Sequence, residues 1–298
     1  MSAATPGPIP TPLPTARLLA AAHRSLHARP EQRPTGRLRV GVDLGTAYVV
    51  VLVTDEHGVP LAGASRFASV VRDGVVVDFA GAVAIVRDLV ADVEERLGVG
   101  LETAATTYPP GVALPEVRAT RYVVEAAGLT CTGLVDEPTA ANAVLGVRDG
   151  AVVDVGGGTT GIAVLRDGEV VHVGDEPTGG THVTLVVAGA FGLSFDAAEA
   201  HKTDPAAQAQ LLPVVRPVFE KVATIVARHV ADHDVDTIHL VGGTAAFPGI
   251  AEVVAQGTGL PVQVPPRPLL VTPLGVALHD GGDTARTTLD ALEVRHGR

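Results

Sequence analysis

The chain has 298 residues and a formal net charge of −11, with an isoelectric point of about 5.4, so nucleic acid and anionic lipid are disfavoured as main partners. It is 46% hydrophobic but only 3% aromatic and has no Trp, which leaves Val, Ala and Leu to build the interior of two modest α/β lobes. One cysteine, Cys131, excludes an internal disulfide or a cysteine-clustered metal site; it reads as a small core residue.

No run of about 18 uninterrupted apolar residues occurs, so no membrane span is expected. The N-terminus has proline where a signal peptide would be apolar, and a cytoplasmic protein is expected. Residues 1–14 carry Pro6, Pro8, Pro10, Pro12 and Pro14 and read as an extended arm. Residues 15–28 follow as a short amphipathic helix. Thr15 stands as its cap, and Leu18, Leu19, Ala22 and Leu26 share one face. A breaker region, 29–36, closes this leader of residues 1–36. Two readings stay open: a disordered leader, or a docking helix on a flexible tether. For the helix, the expected partner lies outside the chain, with packing on its own lobe as the alternative.

The first lobe is read over residues 37–150. RVGVDLGTAYVVVLV (39–53) gives an apolar strand, Asp43, a turn at Gly45, Thr46 and Ala47, and a second apolar strand. Residues 66–79 read as strand and turn, and 80–97 as a helix ending at Gly98. A strand at 104–108 leads into Pro109 and Pro110. A helix at 115–127 has proline in its first turn and stops at Gly128. After a short strand at 134–135, Asp136, Glu137, Pro138 and Thr139 open a helix at 140–145, whose small side chains permit close contact with a neighbour.

The second lobe is read over 151–271. AVVDVGGGTTGIAVL (151–165) repeats the earlier order: strand, Asp154, glycine turn, strand. A strand at 170–173 and a turn containing Gly180 precede a helix at 182–191. A helix at 197–202 sets Glu199 and Lys202 one turn apart. A long helix at 214–233 carries Pro217 in its first turn. A buried strand at 237–241 ends in Gly242, Gly243 and Thr244, before a helix at 248–256. The last helix, 272–279, opens a segment (272–281) expected to return to the first lobe, and 282–298 is a polar tail.

Gly156, Gly157 and Gly158 let backbone amides approach a polyanion that side chains would hold away. A carboxylate such as Asp154 beside phosphate oxygens makes sense with a cation between them, and Mg²⁺ keeps its waters there. A plain hairpin with a glycine-rich turn is the simpler alternative, since a glycine run alone is a weak signal. The second copy at Asp43 changes the weighing. A repeat at this separation implies two similar domains, and two such hairpins facing each other would hold one triphosphate and its metal in a cleft between lobes. The glycine pair after the strand at 237–241 is a further nucleotide position.

With these motifs in hand the chain resembles the actin-like ATPase superfamily, most closely its Hsp70 branch. GVDLGT, DEPTAANAVLG, DVGGGTT, VGGTAAFPGI and TPLGVAL appear in the family's order. Within that superfamily it resembles the ethanolamine-utilisation J proteins, through VVRDGVVVDF (70–79), GGGTTGI (156–162) and the arm-plus-helix leader. The resemblance implies two ribonuclease-H-like lobes around an interlobe nucleotide cleft, joined by crossing helices after Glu137 and after Thr272. It implies no room for the extra subdomains of Hsp70 and no peptide-binding clamp. It also implies ATP and Mg²⁺ as ligands, with Asp43 and Asp154 orienting the metal through water. Gly45, Thr46, Gly156, Gly157, Gly158 and Thr159 would cradle phosphates, with Ala47 and Gly180 beside them. Glu137 would position the metal shell or attacking water. Gly242, Gly243 and Thr244 would face the adenosine, with Glu199 and Lys202 near ribose and base.

Two departures bear on turnover. Hsp70 has an aspartate where this chain has Gly161, and no lysine lies among residues 1–97, the region of the Hsp70 catalytic lysine. Charge stabilisation carries most of phosphoryl transfer, so hydrolysis is expected to be slow. Three functions compete. The first is an ATP-dependent chaperone or reactivating factor for ethanolamine ammonia-lyase or its microcompartment. The second is a nucleotide-binding scaffold or polymerising protein; the third, a relative of sugar or acetate kinases. His229 and His233, one turn apart, could bind zinc with His172, His182, His201 or His239, but no HExxH or CxxC accompanies them, and a solvated helix face is the preferred reading.

Overall fold

The structure, a computed structural model, describes residues 13–30, 32–72 and 74–281. The expected proline-rich arm, up to residue 12, and the polar tail at 282–298 lie outside the described residues. The chain divides into two compact units. One is Pro12–Gly146 with Leu270–Arg298, and the other is built on Val147–Leu269.

In the first unit β1 (Leu38–Leu44) turns back into β2 (Tyr48–Asp55), and β2 into β3 (Pro60–Phe67), all antiparallel. On the other side of β1 run β6 (Thr103–Tyr108) and β7 (Thr130–Asp136), both parallel to it, giving the order β3-β2-β1-β6-β7. β4 (Val71–Arg72) and β5 (Val75–Val76) form a separate small hairpin. Val40, Val42, Val49, Val51 and Val53 alternate onto one sheet face and pack with Val86, Val93 and Leu97 of α2 (Phe79–Leu97) and Val123 of α3 (Leu114–Ala126). Gly98 ends α2 in the left-handed conformation, as its position in the sequence predicts.

Elsewhere in this unit α9 (Val271–Leu278) packs on β1 and β2, and α4 (Glu137–Leu145) packs on α9. The α4–α9 approach is extreme: a Cβ at Gly275 would sit 1.8 Å from the carbonyl oxygen of Ala140. β1 also presses on α9, with a Cβ at Gly41 only 2.5 Å from the Ala277 nitrogen. Just past α9, the buried carboxylate of Asp280 accepts from the Val40 amide at 2.9 Å and Thr103 Oγ1 at 3.0 Å, and also from Thr132 Oγ1. One side chain thereby ties β1, β6 and β7 together.

The N-terminal helix corrects the docking reading. α1 (Leu13–Ser25) packs against β3, with Leu19 and Ala22 at 0% exposure. The Arg96 guanidinium of α2 bonds the carbonyls of Ser25, Leu26 and Gly63, locking helix end and strand together. Thr15 Oγ1 donates to the Val144 carbonyl of α4 at 3.4 Å. The apolar stripe read as a partner surface is the cover of its own sheet.

The second unit repeats the first. β8 (Gly150–Val155), β9 (Thr160–Arg166) and β10 (Glu169–Glu176) are antiparallel neighbours, and β11 (Ile238–Val241) and β12 (Val262–Gln263) extend the sheet in parallel, in the order β10-β9-β8-β11-β12. Its core joins Val153, Val155, Ile162 and Val164 to Leu211, Val215, Phe219 and Val222 of α7 (Pro205–Val230). That helix begins nine residues before the expected 214. Asp204 caps it, accepting from the Ala206 amide at 2.9 Å, and Pro205 stands in its first turn. Pro213 and Pro217 lie inside it on exposed positions, where the buried seam carries the helix past both rings. α5 (Gly180–Phe191), α6 (Phe195–Thr203) and α8 (Ile250–Thr258) complete the unit.

Removing residues 1–36 is expected to lower the melting temperature by several degrees, because it strips the cover from β3. Leu19→Ala alone should cost about 2–5 kcal/mol in a denaturant titration. An unchanged melt on deletion would restore the tethered helix.

Candidate functional site

In the second unit the candidate residues gather at the C-terminal ends of β8 and β11, where open α/β sheets bind ligands. Asp154 is only 5% exposed, although it is a carboxylate. The ladder sets it between Gly161 on β9 and Val241 on β11. Next in sequence is Gly242, with φ of 88°, and a Cβ there would lie 2.2 Å from Asp154 Oδ1. Only glycine leaves that carboxylate room.

The turn after β8 is closed by the Gly156 amide donating to the Thr159 carbonyl at 3.0 Å. Its carbonyls point to the start of α5: Gly156 accepts from the Gly180 amide at 2.9 Å, and Gly157 from the Thr181 amide at 2.7 Å. Gly156 also accepts from Thr244 Oγ1 at 2.7 Å. Turn, helix start and the segment after β11 are thus one hydrogen-bonded piece. Gly158 and Thr159 are buried, Gly157 half-buried and Gly243 exposed.

α6 contributes Glu199 and Lys202. Lys202 Nζ lies 2.6 Å from Glu199 Oε2 and donates to Thr184 Oγ1 at 3.0 Å and to the Gly180 carbonyl at 3.3 Å. Burial lowers the Lys202 pKa, and the Glu199 carboxylate opposes that shift. The ammonium is therefore committed to this cluster, beside the glycine turn.

The first unit presents the matching end of its own sheet. Asp43, near the end of β1, accepts from Thr107 Oγ1 on β6 at 3.0 Å. Gly45, Thr46 and Ala47 form the turn into β2, and the Ala47 carbonyl accepts from the Ala68 amide at 3.0 Å. Asp136 ends β7 and caps α4, accepting from the Thr139 amide at 3.0 Å. Burial raises its pKa, while the capping bonds work against the rise. Glu137 follows in the first turn of α4, half-buried. Asp43, Thr107 and Asp136 thus stand at the ends of three adjacent parallel strands.

Thr107 and Thr184 escaped the sequence reading. A threonine pair just before the end of the strand, at 106 and 107, and a threonine one turn into an apolar helix at 184 were the available signals. The histidines differ from both earlier readings. His229 and His233 meet His172 of β10 rather than solvent. Among the described residues no three His, Cys, Asp or Glu side chains are arranged to hold a metal ion.

Comparison with known proteins places this geometry. The family pattern of type IV pilus assembly protein PilM matches residues 120–267. Ethanolamine utilization protein EutJ of Escherichia coli is 43% identical over 241 residues, covering 80% of this chain and 85% of its own. The chain belongs to the EutJ family. The EutJ of Salmonella typhimurium is 42% identical over the same length. The crystal structure of EutJ from Carboxydothermus hydrogenoformans superposes with a TM-score of 0.85 at 46% identity, covering 90% of this chain and 98% of that one. More distant structures share the actin-like ATPase fold. PilM in its complex with PilN gives a TM-score of 0.67 at 17% identity, over 83% of this chain and 98% of that one. MreB5 of Spiroplasma citri bound to AMPPNP gives 0.66 at 16%, over 89% and 100%. This EutJ-family chain therefore has the actin-like ATPase fold, each unit supplying one five-stranded sheet.

Gly242→Ala is expected to cost about 1–3 kcal/mol, since alanine must take a left-handed conformation against the Asp154 carboxylate. Urea titration measures it. A cost near zero would show that the turn relaxes freely.

Proposed function

We propose that this chain is an ATP-binding, actin-like factor of ethanolamine utilisation, of the Hsp70-like chaperone or reactivating type. The observation that carries the reading is the duplicated strand–Asp–turn at the C-terminal end of each five-stranded sheet. The family membership supports the pathway, and the MreB5 structures, which hold AMPPNP and ADP, support the nucleotide. Asp43, Gly45, Thr46 and Ala47 are assigned to the phosphates from the first unit. Gly156, Gly157, Gly158 and Thr159 take that role from the second. Gly242, Gly243, Thr244, Glu199 and Lys202 take the nucleoside, with Gly180 holding the turn.

Asp43 and Asp154 are hard oxygen donors, and glycine at 242 keeps a side chain off Asp154 Oδ1, so the residues fit a water-mediated Mg²⁺. That ion would neutralise phosphate charge. Around it the chain orients rather than reacts. Glu137 is assigned to position water, Gly161 offers no carboxylate beside Asp154, and Lys202 is held by Glu199. Binding with slow turnover follows from this set.

The client is proposed to be ethanolamine ammonia-lyase or its microcompartment, which puts the chain in the cytoplasm. Among the described residues no single helix is long and apolar enough to cross a membrane. A nucleotide-dependent scaffold is the second reading, favoured by the fold shared with MreB5 and PilM. Pelleting with ATP would select it.

Mg-ATP should raise the melting temperature, with about 2.7 kcal/mol of stabilisation at a hundredfold excess over Kd. Asp154→Ala should abolish the rise. No shift of the unmodified chain at millimolar Mg-ATP would refute nucleotide binding. ATP turnover should fall below the roughly 1–100 s⁻¹ of kinases in a phosphate-release assay; a rate within that range would mean that another residue supplies the chemistry.

A further inference from the structure

A cluster of imidazoles in the second unit has no part in the nucleotide reading. His172 of β10 places Nε2 2.9 Å from Nδ1 of His229 on α7. The centroid of the His233 ring is 4.9 Å from that of His172, and the His172 and His229 centroids are 5.2 Å apart. The helix lies so close to the strand that a Cβ at Gly174 would meet the His229 ring at 2.2 Å. On its other edge, His229 Nε2 faces Glu176 Oε1 at 3.6 Å, and Glu176 is itself paired with Arg228.

We propose that His172, His229 and His233 form a proton-sensitive latch, which holds the edge strand β10 on α7 at neutral pH and releases it on acidification.

A nitrogen–nitrogen contact of 2.9 Å needs one proton between the rings. The tautomer with His172 Nε2–H donating to His229 Nδ1 leaves the second proton of that pair on His229 Nε2, directed to Glu176. A further proton can enter only on the outer nitrogen of His172, where burial and the two neighbouring rings oppose it. The next would have to sit on His229 Nδ1, facing the His172 N–H, and the contact cannot survive it. His233 adds a third ring whose charge repels the other two.

The groups that favour protonation are Glu176 on β10 and the carbonyl end of α7. Arg228 shares Glu176, and the exposed Asp232 and Asp234 beyond α7 face water. Burial comes first, then His229 and His233, in holding the pKa of His172 below its ordinary 6.5. The folded chain therefore binds fewer protons than the unfolded one. Stability from the cluster is complete above about pH 6.5 and is lost as pH falls below it. Each excluded proton lowers the folding constant about tenfold per pH unit in that range.

β10 is the strand this matters for. It lies at the sheet edge, paired among the described residues only with β9, and exposes Val170, Val171 and Val173. It also leads directly to Thr178 and Gly180, the segment bonded to the glycine turn.

The test compares urea unfolding of the unmodified chain and His172→Gln between pH 7.5 and 5.0. Below pH 6.5 the unmodified chain should lose more in folding constant per pH unit than the variant, up to the limit of about tenfold that one excluded proton sets. The subtraction removes the contribution of His182, His201 and His239. Should the variant fail to fold, NMR titration of His172 in the unmodified chain decides: a midpoint below 6.5 supports the latch. Amide exchange, corrected for its intrinsic pH dependence, should speed up along residues 170–174 at pH 5.5 and not along β8. Parallel pH profiles, a His172 midpoint at 6.5 or above, or exchange that quickens evenly across the sheet would overturn it.

Discussion

Where Gly275 meets the carbonyl of Ala140, two helices touch backbone to backbone, and the first unit is assembled around that contact. With α4 fixed on one side and β1 pressed on α9 near Gly41, helix and sheet sit at the smallest spacing the chain permits. Asp280 then follows α9 by two residues and gathers β1, β6 and β7 through hydrogen bonds to Val40, Thr103 and Thr132. The far ends of those same strands carry Asp43, Thr107 and Asp136. Their mutual placement depends on packing at the other end of the sheet.

The second unit solves the same problem by other means. Its sheet has the same strand order, but the candidate residues are joined directly, through the Gly156 carbonyl bonded by both Gly180 and Thr244. Asp154 is enclosed by backbone rather than by another side chain's bulk. In the first unit Asp43 instead rests on a threonine hydroxyl. The repeat conserves architecture while the two carboxylates sit in different surroundings, one enclosed and one half-open.

Much of this was legible in the sequence because it is local. A strand, an acid and a glycine turn lie within a dozen residues, and the helix stops at Gly98 and Gly146 need only a left-handed residue. What stayed hidden is governed by distant partners. The stripe on α1 reads the same whether it covers β3 or another protein, and only the sheet itself decides. Pro213 and Pro217 look like helix starts until the seam from Leu211 to Val230 overrides them. Thr107 and the pairing of His172 with His229 join positions 64 and 57 residues apart, beyond any pattern of spacing.

The discontinuity of the first unit sets an order of events during synthesis. Its sheet and α1 leave the ribosome before residue 147, yet α9, which seals β1 and β2, is made only after the whole of Val147–Leu269. Among the described residues the later-born unit is one unbroken stretch, with its sheet and helices all inside it. The unit that starts first must therefore wait with an apolar sheet face uncovered, and it closes last.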